Sequence, residues 1–194
     1  MNSFSQLRRP PPTTLRPNNS FKPTAEVGLG FSDMQPRGGG LIQVLGAMGS
    51  VLNSGFGSLP ATPPISLRGG NALDGYEEAP EFDEALDEIT PEYLEAYFWG
   101  IPHLDTLSWL FYLPHLLDHA LKNIANPASN ATDTFLSSLR PPDRDPPRFG
   151  SLNSVEEKAV VAVLDKLAFS QESAWREPAM IALEEYWAQG ATYR

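Results

Sequence analysis

SVEEKAVVAVLDKLAFS, residues 154–170, decides the fold class. Val160, Val163, Leu164 and Leu167 fall at i, i+3, i+4 and i+7, the spacing that lines one face of an α-helix. Ser154 with Glu157 three residues later reads as a capping box at the start of that helix. A strand would send successive side chains to opposite faces, and no run in the chain alternates in that way.

Downstream, PAMIALEEYWAQG (178–190) repeats the pattern, with Pro178 opening a helix and Gly190 following it. Ala179, Met180, Leu183, Tyr186 and Trp187 are expected to face inward. Upstream, RPPDRDPPRFG (140–150) holds four prolines in eleven residues and is expected to form an extended, polyproline-like strap. Further back, NATDTFLSSL (130–139) is a weaker helix.

PHLLDHALKNI (114–124) gathers Leu113, Leu116, Leu117, Ala120, Leu121 and Ile124 on one face. TLSWLFYL (106–113) is expected as a separate short helix stopped by Pro114. In TPEYLEAYFWG (90–100), Thr90 is placed as N-cap, Pro91 as the first helical residue and Glu92 in the positive first turn. Tyr93, Leu94, Tyr97 and Phe98 make its apolar side. Phe82, Leu86 and Ile89, spaced by four and three, suggest one more stripe inside the acidic run. The reading is an all-α fold: a compact bundle of short helices with a proline-rich strap, over residues 76–194.

Residues 1–75 differ in kind. Proline-rich and glycine-rich pieces alternate, such as RRPPPTTLRP and RGGNALDG, and no period persists. Such composition buries too little apolar surface to offset the entropy of ordering, so a disordered tail is expected, with room for one short helix around 41–53. Within the tail, RPNNSFKPT (16–24) resembles a peptide made when the recombination-site repeats of bacterial integron cassettes are translated. That resemblance leaves Met34 and Met48 as alternative starts.

Charge divides the chain at the same place. The net charge is −10 overall: residues 1–75 carry six basic and three acidic side chains, and residues 76–194 carry eight and 21. An acidic domain repels phosphate backbones and anionic lipid, so neither nucleic acid nor membrane is an expected partner. There is no Cys, which removes thiolate ligands, disulfides and cysteine nucleophiles. No apolar run reaches the length of a membrane span, and Pro10–Pro12 stand where the hydrophobic stretch of a signal peptide would begin. A cytoplasmic location is expected.

His115 and His119, with Asp118 beside the second, are the one hint of metal chemistry, since residues four apart share a helix face. Yet 115, 118, 119 and 122 complement the leucine face, so both histidines are expected on the wet side. Leu116 also stands where H-E-x-x-H has its glutamate. A metal-dependent hydrolase using His115 and His119 is therefore the alternative reading, and no cofactor is expected. Nine carboxylates and no cation lie between Glu77 and Glu95. This run reads as a solvated face or as a docking surface for a basic protein, with Glu77, Glu78, Glu81, Asp83, Glu84, Asp87 and Glu88 as candidate contacts. Arg140, Arg144 and Arg148 in the strap are further contact candidates, or else tie the strap onto the bundle. No G-x-S-x-G or phosphate-binding loop is present.

FWGIPHLDTLSWLFYLPHLLDHAL (98–121), SLRPPDRDPPRFGSLNSVEEKAVVAVLDKLA (138–168) and ALEEYW (182–187) together resemble a family of small bacterial proteins catalogued as domain of unknown function 6714. The resemblance spans about residues 82–187. It implies one folding unit and no catalytic residues. A non-enzymatic protein-binding module, antitoxin- or immunity-like, is the leading expectation.

Overall fold

The computed structural model describes residues 61–194. The expected tail up to residue 60, the short helix around 41–53 and the cassette-like peptide lie outside the described residues. Among the described residues there is no strand. The helices are α1 (Leu67–Asp74), α2 (Pro91–Ala96), α3 (Thr106–Lys122), α4 (Asn130–Ser138), α5 (Ser154–Phe169) and α6 (Arg176–Ala182). A 3-10 segment, Phe98–His103, joins α2 to α3, and a π-helical turn, Leu183–Trp187, extends α6. The all-α reading holds. No helix among the described residues is long and apolar enough to cross a membrane.

Caps place most of these elements. Thr90 Oγ1 accepts the Tyr93 N–H at 3.1 Å, with Pro91 at the first position of α2. Asp105 caps α3 through Ser108 N–H at 2.7 Å, and Ser129 caps α4 through Thr132 N–H at 3.1 Å. The capping box of α5 is one residue earlier than expected. Asn153 Oδ1 accepts the N–H of Val155 and Glu156, and the Glu156 carboxylate accepts the Asn153 N–H at 2.8 Å. Asn is as good a cap as Ser, and here it satisfies two N–H groups at once.

Pro114 does not stop α3, which runs through it. A mid-helix proline costs roughly 3 kcal/mol. Trp109, Tyr112, Leu113, Leu116 and Leu117 on either side are all buried, each contributing about 1.5–3 kcal/mol, so packing outweighs the break. Around α3 the core collects Phe135 and Leu136 from α4, Val160 and Leu164 from α5, and Trp187 from the π turn. Trp187 Nε1 donates to Leu139 O at 2.7 Å. Met180, expected inside, is exposed; Ala179, Ala182 and Leu183 form the inner face instead.

Two stretches depart from the expectation in ways that matter for the surface. Residues 81–89 form a turn and not a helix. Asp83 Oδ1 accepts the N–H of Ala85 and Leu86, a local bond that competes with helix, and Leu86 is exposed. Residues 67–74, placed in the tail by composition, form α1. Leu67 is fully buried in the common core, and Gly70 lies against the backbone of Gly100 in the 3-10 segment. The glycines that read as low complexity are what allow two backbones to approach this closely.

Candidate functional site

The acidic run is a loop held from beneath. Arg68 on α1 grips Asp87 with two bonds, Nε to Oδ1 at 3.0 Å and Nη2 to Oδ2 at 2.9 Å. Tyr93 OH donates to Asp87 Oδ1 at 3.0 Å, and Asp83 N–H donates to Oδ2 at 2.9 Å. Arg68 Nη2 also reaches Glu81 O at 2.9 Å. Asp87 is buried and wholly engaged, so it leaves the set of partner contacts proposed from the sequence. Burial raises its pKa, but the bonds from Arg68, Asp83 N–H and Tyr93 prevail and hold it below the usual carboxylate range. Burial pushes Tyr93 well above an ordinary phenol, with Tyr112 next to it adding to the shift. Glu77, Glu78, Glu81, Asp83, Glu84 and Glu88 remain exposed. None of the six forms an ion pair with a described cation.

The two histidines separate. His115 is exposed, with its ring beside Phe111, and Asp118 pairs with Lys122 at 2.7 Å. His119 is only 5% exposed, contrary to the expectation that it faces water. Glu95 reaches across from α2 and covers it: Nε2 lies 2.8 Å from Oε1. Ser129 Oγ donates to the same oxygen at 2.5 Å, and Ala131 N–H donates to Oε2 at 3.2 Å. Burial raises the Glu95 carboxyl; the bonds from Ser129, His119 and Ala131 overcome this and leave it below its ordinary value. An ionised carboxylate only accepts, so His119 Nε2 carries the proton.

Ser, His and Glu thus meet, but not as a nucleophilic relay. A relay needs the serine on one ring nitrogen and the carboxylate on the other. Here Ser129 Oγ, 3.4 Å away, faces the same Nε2 that donates to Glu95, so that nitrogen has no lone pair to take the serine proton. Among the described residues no group of three or more His, Cys, Asp or Glu side chains is placed to hold a metal ion. His119→Ala is expected to cost about 2 kcal/mol by leaving Glu95 short of a donor, and His115→Ala within about 0.5 kcal/mol. Urea denaturation of the two variants checks this directly.

The strap arginines divide three ways. Arg140 forms a bidentate pair with Glu185, at 2.8 and 2.7 Å, which raises the guanidinium and lowers the carboxyl. Arg148 is 3% exposed and its Nη2 donates to Pro102 O at 3.0 Å and to Ile101 O and Leu104 O. It stands 6.0 Å from the Trp109 ring centre. Burial, with Arg144 nearby, pulls its pKa down to about 10. Arg144 is exposed and pairs with no described carboxylate. The strap is a set of bends and not an extended segment, because Asp143 gathers the N–H groups of Arg144, Arg148 and Phe149 at 2.8, 3.0 and 2.9 Å. Peptide bonds 141–142 and 145–146 are cis.

A family model for domain of unknown function 6714, described as a family of unknown function, matches residues 48–191. The chain belongs to that family. The match takes in α1 and the whole acidic loop, beyond the span of about 82–187 suggested by the sequence motifs. No curated protein and no solved structure matches the chain. Within the family match lie three groups of the described clusters that the sequence pattern does not single out: Arg68, Glu95 and Ser129. Arg68 stands in a segment with the composition of a tail, and Glu95 is, by sequence, one more charge of the run. Ser129 had one visible signal, its position just before a helix that starts at Asn130.

Proposed function

We propose that this member of the domain of unknown function 6714 family is a non-enzymatic binding module that engages a basic protein partner through the Glu77–Glu88 loop. One observation carries the reading: six exposed carboxylates sit on a loop whose backbone is fixed by the buried Asp87 and Tyr93 and the partly sheltered Arg68. A loop anchored in this way loses less conformational entropy on binding than a free acidic tail. Its charges steer a cationic surface towards it and set the register of contact. An antitoxin- or immunity-like role in a bacterial cytoplasm is the concrete version, because occlusion of a basic partner needs binding and no reaction.

The test is affinity capture from lysate of the source cell, using the full chain and a Glu77→Lys/Glu78→Lys/Glu81→Lys/Glu84→Lys variant. A partner of basic surface retained by the parent and lost by the variant is expected, with circular dichroism and melting temperature unchanged. Retention should also weaken steeply with salt. The same partner held equally by both proteins would overturn the proposal.

A further inference from the structure

A cleft of about 290 Å³ opens between the strap and the C-terminal half of α4. Thr134 and Ser137 line one wall, Pro102 and Phe149 give it an apolar side, and Arg144 and Arg148 bring positive charge. In a chain of net charge −10 this is an unusual concentration of cations. One carboxylate, Asp143, also lines the cleft and keeps its charge, though its oxygens are occupied by backbone donors. Asp143 accepts three backbone N–H groups, Asp105 caps α3, and Glu185 holds Arg140. Asp145 is exposed in the strap.

Arg148 is the telling residue. It is almost wholly buried, yet its partners are carbonyl oxygens and not a carboxylate, and its Nε–H has no acceptor. A buried guanidinium with no direct ion pair and an unsatisfied N–H is costly, even with Asp143 and Asp105 nearby. Arg144, close by and unpaired, adds like-charge repulsion. Both costs fall when an anion sits between the two side chains.

We propose that this cleft binds a small organic oxyanion, a carboxylate or phosphate group, held by Arg144 at the mouth and by the buried charge of Arg148. Thr134 and Ser137 supply hydroxyl donors, and the Pro102–Phe149 side accepts a short apolar body. The site does not depend on the acidic loop or on its partner.

Calorimetric titration of the full chain with sodium acetate and with inorganic phosphate, against chloride at equal ionic strength, tests it. One saturable site is expected for at least one probe, with backbone amide shifts confined to the strap and the end of α4. Saturation by phosphate alone assigns a phosphoryl ligand, and by acetate alone a carboxylate. Arg144→Ala, an exposed change that leaves the fold intact, should weaken affinity about tenfold. Arg144→Lys should recover part of it. Absence of saturation with both probes, or equal affinity in Arg144→Ala, would overturn the site.

Discussion

Gly100→Ala is expected to destabilise the domain by about 3–5 kcal/mol, and Gly70→Ala by nearly as much. A Cβ on Gly100 would stand 2.1 Å from Leu67 O, 2.9 Å from Leu67 C and 3.0 Å from Asn71 N. A Cβ on Gly70 would stand 2.5 Å from Gly100 O. In both cases the obstacle is backbone, which cannot rotate away as a side chain would. α1 would have to lift off the 3-10 segment, taking Leu67 out of the core and breaking the bonds from Leu67 N–H and Arg68 N–H to the hydroxyls of Tyr112 and Tyr93. Overpacking costs typically 1–3 kcal/mol, and loss of the Leu67 burial adds about 2 kcal/mol, together a large part of the 5–15 kcal/mol that holds a domain of this size. Gly69→Ala is the internal control. Its Cβ would meet Ile65 and Ser66 side chains at 3.4 Å, ordinary contact, and alanine is the better helix former by about 0.8–1 kcal/mol. Neighbouring glycines should therefore give opposite signs in urea denaturation. A Gly70→Ala protein as stable as Gly69→Ala would mean that α1 does not pack as described.

The same pair shows where a sequence stops being readable. Val160, Val163, Leu164 and Leu167 announce α5 because its pattern is local, and every one of them is buried. Gly70 and Gly100 announce nothing, because their role is a contact between segments 30 residues apart; alone, each reads as a helix breaker. His119 fails in the same way. Its helical position is correctly polar, but whether that side meets water depends on Glu95, which arrives from another helix. Charge also misleads when counted without partners: Asp87 is one of nine acids in the run and the one drawn into the core by Arg68. In the strap the arginine–proline composition was visible. Which arginine would be buried was not, since that follows from the carbonyls of the 3-10 segment facing Arg148.

Asp87→Ala is expected to destabilise the domain by about 3–5 kcal/mol, the range for removing one partner of a buried ion pair. Four donors lose their acceptor at once: Arg68 Nε and Nη2, Tyr93 OH and Asp83 N–H. Arg68 is only partly sheltered and can turn towards water, which sets the cost at the lower end. Arg68→Met combined with Asp87→Ala should therefore cost less than the two single changes added together, because no charge is then left facing an empty site. The pH dependence follows from the direction of the shift. The folded-state pKa of Asp87 is depressed, so the stability it contributes is fully present above the unfolded carboxylate value of about 3.9 and is lost as pH falls through the folded value. Glu95 acts in the same sense. Acid unfolding of the parent should thus steepen in that window, and Asp87→Asn, which has no carboxyl to protonate, should flatten the slope there while starting from a lower plateau. The variant also bears on binding. With the clamp gone the six exposed carboxylates keep their charge and lose their frame, so a partner recognised by geometry should bind Asp87→Asn more weakly, while one recognised by charge alone should bind it as well as the parent.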